Sequence, residues 1–258
     1  MKRRAAVSIG TITAVALAWY LLTTVTGLVS AGRFPSPREF WIALQQSLTS
    51  GYADATLLVH AVHSVKLVAM GFIVAILFGV PLGLLMGWSR RAEALINPVF
   101  LIIRPIPPLA WIPLAILWLG LGDSAKIMVI FFAAFVPSVI NTATGVRIIE
   151  PAMIEAAEMM GTGRVRFVRE VLFPAALPMI FTGLRLSLQA SWTTLVAAEL
   201  VGALAGLGRV LNVAQQDIFP AMILVGMIAV SLLGWGTTRL LALAETHLMP
   251  WTQWEGER

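Results

Sequence analysis

Residues 67–88 read LVAMGFIVAILFGVPLGLLMGW, a run without one charged side chain. As a helix rising 1.5 Å per residue it reaches about 33 Å, enough to cross a hydrocarbon core about 30 Å thick. Working outward, five further runs satisfy the same length rule. They are Ala5 to Ser30 behind Lys2-Arg3-Arg4, Ile96 to Leu121, Ile127 to Val146, Pro178 to Val201, and Ala221 to Leu240. The third in chain order is interrupted by Arg104 and several prolines. The composition agrees, with 59% hydrophobic and only 12% charged residues, where a soluble domain carries roughly 25% charged. The expected fold is an all-α, polytopic membrane protein of six transmembrane helices. Val29-Ser30-Ala31 loosely resembles a signal cleavage site, but a signal core spans about 7–15 apolar residues. The first run is longer, so an uncleaved span is expected.

Lysine and arginine gather in cytoplasmic loops of membrane proteins. With the N-terminus inside, twelve of the 18 Lys and Arg residues fall on the inner side. Arg33, Arg38, Lys66, Lys126 and Arg209 fall outside, and Arg104 is unassigned. Both termini are therefore expected in the cytoplasm, and the basic balance sets topology without implying nucleic acid. Trp88, Trp118 and Trp251 sit near expected span ends, where interfacial aromatics belong. Cysteine is absent, which removes disulfides, thiolate metal sites and thiol nucleophiles. The segment Pro37 to His63 has apolar residues at helical spacing and reads as a helix on the outer face. His60 and His63 stand three apart on it; surface polarity explains them, and no metal site or catalytic residue is expected.

The longest inner loop reads GVRIIEPAMIEAAEMMGTGRVRFVREVLFPAALP over residues 145–178. Pro151 suits the first turn of a helix, where its missing N–H costs nothing. Good helix formers run from Ala152 to Met160, including Glu155 and Glu158. Gly161-Thr162-Gly163 stops the helix, since glycine accepts the left-handed conformation of a C-cap. A second short helix, Arg164 to Leu172, is expected to end before Pro174. Ala156, Ala157 and Gly161 leave a surface of small side chains that another backbone approaches closely. The carboxylates of Glu155 and Glu158 offer charge-assisted hydrogen bonds to a partner. Such a helix-turn-helix either docks into a groove of another protein or is a solvated loop.

The pattern Glu155-Ala156-Ala157, then Gly161, then Val171-Leu172-Phe173-Pro174 resembles the EAA loop of ABC-importer permeases. That family more often has Ile and Leu where Val171 and Phe173 stand. The run from Arg104-Pro105 through Trp111-Ile112-Pro113 resembles the taurine, alkanesulfonate and nitrate permease branch. So do Phe181 to Arg185 and Ser191 to Glu199. Asp54 to Leu57 and Trp192 to Leu200 look closest to taurine permeases.

The resemblance implies a type I importer permease in the bacterial inner membrane, working as a homodimer. Two copies of a cytoplasmic ABC ATPase subunit and a periplasmic or lipid-anchored solute-binding protein would complete the complex. Glu155, Ala156, Ala157, Glu158 and Gly161 would then form the ATPase-coupling helix. The implied organisation is an N-terminal helix and outer amphipathic helix over 1–60 and a permease domain over 61–246. The latter holds a coupling loop at about 147–177, and a cytoplasmic tail follows over 247–258. The implied cargo is a small anion such as taurine or another sulfonate, with nitrate or another small solute as the alternative.

A phosphate-cradling loop ending in Gly-Lys-Ser/Thr is missing from the sequence. The chain carries no cofactor of its own, and a partner subunit would spend the ATP. A self-sufficient secondary transporter would show mid-membrane carboxylates and internal inverted repeats, and neither is visible.

Arg185, Gln189, Trp192, Val196 and Glu199 follow steps of four and three, which places them on one helical stripe. Either the stripe lines the translocation path, or it packs against neighbouring helices while Arg185 and Glu199 reach opposite interfaces. Arg104 precedes three prolines that must break its span; either it draws an anion inward or it reaches the cytoplasmic headgroups. Ser138 and Asn141, beside Pro137, are further pathway candidates or bonds to a neighbouring helix.

Overall fold

The computed structural model describes residues 2–250 apart from 28 and 31. The expected tail 247–258 therefore lies outside the described residues from 251 onward, Trp251 included. Eleven helices follow one another: α1 (Lys2–Tyr20), α2 (Pro37–Thr49), α3 (Leu57–Trp88), α4 (Arg90–Ile103), α5 (Ile112–Leu119), α6 (Asp123–Arg147), α7 (Pro151–Met159), α8 (Arg164–Phe167), α9 (Phe173–Leu200), α10 (Leu207–Gln216) and α11 (Pro220–Leu248). Among the described residues there is no strand.

Among the described residues, four helical stretches are long and apolar enough to cross a membrane: α3, α6, the continuous run Arg164–Leu200 and α11. The pair Arg90–Ile103 and Pro108–Leu119, bent by 83°, is apolar enough to make a fifth if it forms one broken span and not a re-entrant loop. The prolines after Arg104 produce that break, because each lacks an amide donor and locks its φ. The first expected run is helical through α1 and a π-helical turn at Leu21–Val25; its apolar part, Gly10–Val25, is shorter than the other spans.

The chain divides into two compact units, residues 65–201 with 233–258 and residues 1–64 with 202–232. In the larger unit, glycines set the helix contacts. A Cβ on Gly71, Gly79, Gly83 or Gly87 of α3 would fall 2.5–2.8 Å from side-chain atoms of Ile130, Ser138, Thr142 and Val146 of α6. Both series advance in the same direction, so α3 and α6 are parallel. Small residues permit this approach where lipid supplies no hydrophobic drive between helices. Against α9 the order reverses. Gly145 faces Ala176 and Met179, Gly183 faces Asn141 and Pro137, and Ser187 Oγ donates to the Ala134 carbonyl at 2.6 Å. Helix α11 runs antiparallel to α9, through Trp192 with Thr237 and Arg185 with Glu245. The Trp88, Arg147 and Leu248 ends thus share one end of the unit with residues 148–172.

In the smaller unit, Ala43, Val210, Ala214, Met222 and Val225 form the core. Ser36 and Glu39 cap α2 reciprocally: Glu39 N–H donates to Ser36 Oγ at 3.3 Å and Ser36 N–H to Glu39 Oε2 at 2.7 Å. The outer helix expected over Pro37 to His63 is therefore two elements, split between Thr49 and Leu57. Gly51 takes φ +81° and Ala53 and Asp54 are left-handed, a turn that no continuous helix tolerates. Tyr52 O–H donates to the Asp217 carboxylate across this turn. Burial first, and then the Asp217 carboxylate, push the Tyr52 phenol above its ordinary titration range.

Candidate coupling and translocation sites

Residues 148–172 form a hook. Pro151 starts α7 at its first position, as its fixed φ requires. At the far end Gly161 takes φ +67°. Its N–H donates to the Glu158 carbonyl at 2.9 Å, and Thr162 N–H donates to the Ala157 carbonyl at 3.2 Å. This paired pattern is a Schellman closure, which needs a residue at positive φ.

Helix α8 does not end before Pro174. It passes through a π-helical turn at Val168–Leu172 into α9. The wider turn accommodates the amide that Pro174 lacks. Ala157, Phe167 and Leu172 are buried with Val146 and Met249, and the Phe167 ring lies 4.8 Å from that of Trp88. The hook is therefore held to the span ends by one face only. Glu155, Ala156, Glu158 and Gly161 are exposed, beside an open hollow of about 370 Å³ lined by Met153, Met160, Arg166 and Glu170 among others.

The expected stripe on α9 divides. Arg185 and Gln189 are exposed, whereas Trp192 and Glu199 are buried. Arg185 forms an ion pair with Glu245 at 2.7 Å, and Trp192 Nε1 donates to Thr237 Oγ1 at 3.0 Å. Both contacts belong to packing against α11. Ser138 is buried at the α3 contact beneath Gly79. Asn141 Nδ2 donates to the Pro137 carbonyl at 2.8 Å, within its own helix.

Arg104 follows α4 directly and remains exposed. Glu93 pairs with Arg147 at 2.7 Å, and the Phe100 and Phe135 rings meet. Helices α4 and α6 are thus antiparallel, and Arg104 lies further from the hook end than the Glu93–Arg147 pair.

Two features escaped the sequence. His60 is buried, not a surface polar group. Its Nδ1 accepts from Gly206 N–H at 3.0 Å, and its Nε2 faces the Tyr52 carbonyl at 3.0 Å. A carbonyl only accepts, so the ring is the neutral tautomer with its proton on Nε2. Ser64 Oγ accepts from Leu207 N–H at 2.9 Å. Helix α10 has Gly206 at its N-cap and no side-chain cap of its own, and α3 caps it from outside. The four-residue spacing of His60 and Ser64 was the available signal. The second feature is Lys126, which is buried in α6 beside Asp123 at 3.3 Å. Among the described residues, no three His, Asp or Glu side chains gather as a metal site would need.

Residues 79–253 match the family described as binding-protein-dependent transport system inner membrane component. The taurine transport system permease protein of Escherichia coli (strain K12) is 33% identical over 255 residues, covering 97% of this chain and 91% of that protein. The putative aliphatic sulfonates transport permease protein of Bacillus subtilis (strain 168) is 34% identical over 225 residues, covering 87% and 80%. The bicarbonate transport system permease protein of Synechococcus elongatus (strain ATCC 33912 / PCC 7942 / FACHB-805) is 32% identical over 241 residues, covering 90% and 87%.

Proposed function

We propose a function from one premise: this chain belongs to the family of binding-protein-dependent transport system inner membrane components. It is a multi-pass inner membrane permease, working with an ATPase and a substrate-binding protein in an ABC importer. The imported solute is a small oxyanion, taurine or another sulfonate. The chain itself carries no cofactor; ATP is spent by two copies of the cytoplasmic subunit, and two copies of this chain face each other across the path. Both termini lie in the cytoplasm, and membrane lipid surrounds the spans.

The observation that supports this reading is the hook. Its buried face ties it to the ends of α3 and α6, while Glu155, Ala156, Glu158 and Gly161 stand free beside a hollow. A short rigid lever of this kind suits transmission of motion from a docked motor to the spans, with Ala157 seating it. Orientation follows from charge. Arg90, Arg91, Arg147, Arg164, Arg166 and Arg169 occupy the hook end, which the positive-inside rule assigns to the cytoplasm. Exposed Arg185 and Gln189, with Arg104, are the path residues; Trp192, Glu199, Ser138 and Asn141 hold the helices that bear them.

The test is reconstitution of the chain in vesicles with its partner ATPase and binding protein. Accumulation of labelled taurine or ethanesulfonate that needs all three components and ATP is the expected result. Accumulation by this chain alone overturns it.

A further inference from the structure

Between α4 and α6 lies a slot of about 110 Å³. Asn97, Phe100 and Arg104 line it from α4; Val139, Thr144 and Arg147 line it from α6. Its charge is one-sided. Two arginines line the slot and no acidic residue does. Arg147 is shared with Glu93, whereas among the described residues no acid lies within ion-pair distance of Arg104. An arginine inside a span is costly unless it faces a polar cavity or a counter-charge. Here the cavity is present and the counter-charge is left to a ligand.

The lining also defines that ligand. A guanidinium fork matches two oxygens of a planar or tetrahedral oxyanion. The Asn97 amide and Thr144 hydroxyl add neutral donors for its remaining oxygens. Phe100 and Val139 offer an apolar wall to a short carbon stem. At about 110 Å³ the slot has room for an acid group.

We propose that this slot is an oxyanion site, in which Arg104 grips a sulfonate, carboxylate or phosphate group and Arg147 closes the end nearer the hook. The chemistry is shared by two sources, the transported solute and a lipid headgroup. The solute source rests on the permease reading above; the lipid source does not.

The experiment uses the full-length permease bound to its ATPase subunit, in nanodiscs of phosphatidylcholine with or without phosphatidylglycerol. Ethanesulfonate is titrated while thermal unfolding is followed, with neutral dimethyl sulfone as the control. If solute is the source, ethanesulfonate raises the unfolding midpoint and the sulfone does not. Arg104→Gln then weakens the apparent affinity about tenfold or more, the size expected for lost bonds to a charged group. Arg147→Gln weakens it less, because Glu93 already shares that cation. If lipid is the source, ethanesulfonate has no effect and native mass spectrometry finds phosphatidylglycerol retained by the parent protein and lost from Arg104→Gln. Either result supports the site. A parent protein that responds to neither probe, or a folded Arg104→Gln variant with unchanged affinity and lipid retention, overturns it. Should Arg104→Gln not fold, Thr144→Val decides, with a loss of about two- to tenfold expected and no change overturning the site. Co-purification of the ATPase subunit is scored separately, so the slot fails without the permease reading failing.

Discussion

Along α3, four glycines press the helix onto α6, whereas along the hook Met159, Met160 and Val165 are 85%, 83% and 84% exposed. Both regions belong to the same compact unit. In the first, backbone meets side chain with no room for a methyl group. In the second, large apolar side chains stand in the open, and a Cβ on Gly161 meets nothing within 4 Å. A close-packed contact has no further partner to take; an exposed apolar tip at the end of a rigid turn has given up burial within the chain. The difference separates where the fold is held from where it leaves apolar surface exposed.

Gly83→Val is the strongest way to break the first region. A Cβ there falls 2.6 Å from Thr142 Cβ and 2.7 Å from the Val139 carbonyl oxygen, and a backbone oxygen cannot step aside. A loss of about 3 kcal/mol is expected from such overpacking, read as a lowered unfolding midpoint in detergent and reduced membrane yield. Wild-type stability in this variant means that α3 and α6 are not in contact as described.

Gly161→Val attacks the hook by a different route. There is space for the side chain, but a β-branched residue at positive φ is strained, at about 1–3 kcal/mol. That strain is local, so the expected result is lost ATPase co-purification with the spans still folded by circular dichroism. Equal loss of helicity and attachment would erase the contrast between the two regions.

Trp192→Phe tests the packed side more gently. It removes the hydrogen bond to Thr237 while leaving most of the ring, and inter-helix bonds of this type average about 0.6 kcal/mol. A small drop in unfolding midpoint is expected, with solute uptake retained.

The paired change Met159→Gln and Met160→Gln should move stability least, within about 0.5 kcal/mol for exposed positions. Its expected consequence lies in docking: weaker ATPase co-purification at unchanged unfolding midpoint. Undiminished attachment would show that these tips face only water.

Much of this was legible in the residues. Uncharged runs of span length mark α3, α6, α9 and α11, because lipid demands both internal backbone bonding and apolar side chains. The prolines after Arg104 forecast a broken span, and Pro151 with Gly161 bounded α7 closely. The fate of polar side chains was not legible in the same way. His60 read as a surface residue, yet with Ser64 it caps α10 across more than a hundred residues of chain. The α9 stripe read as one face, yet Arg185 and Trp192 turn to α11 while Gln189 does not.

The physical reason is range. Span length, and the Pro151 start and Gly161 stop of α7, depend on residues within a few turns of one another, so the sequence by itself determined them. Which helix lies against which, and therefore which α6 residues share a slot with Arg104, depends on contacts between distant segments. Those contacts are set by how closely glycine-bearing faces approach, and only the tertiary structure decided that.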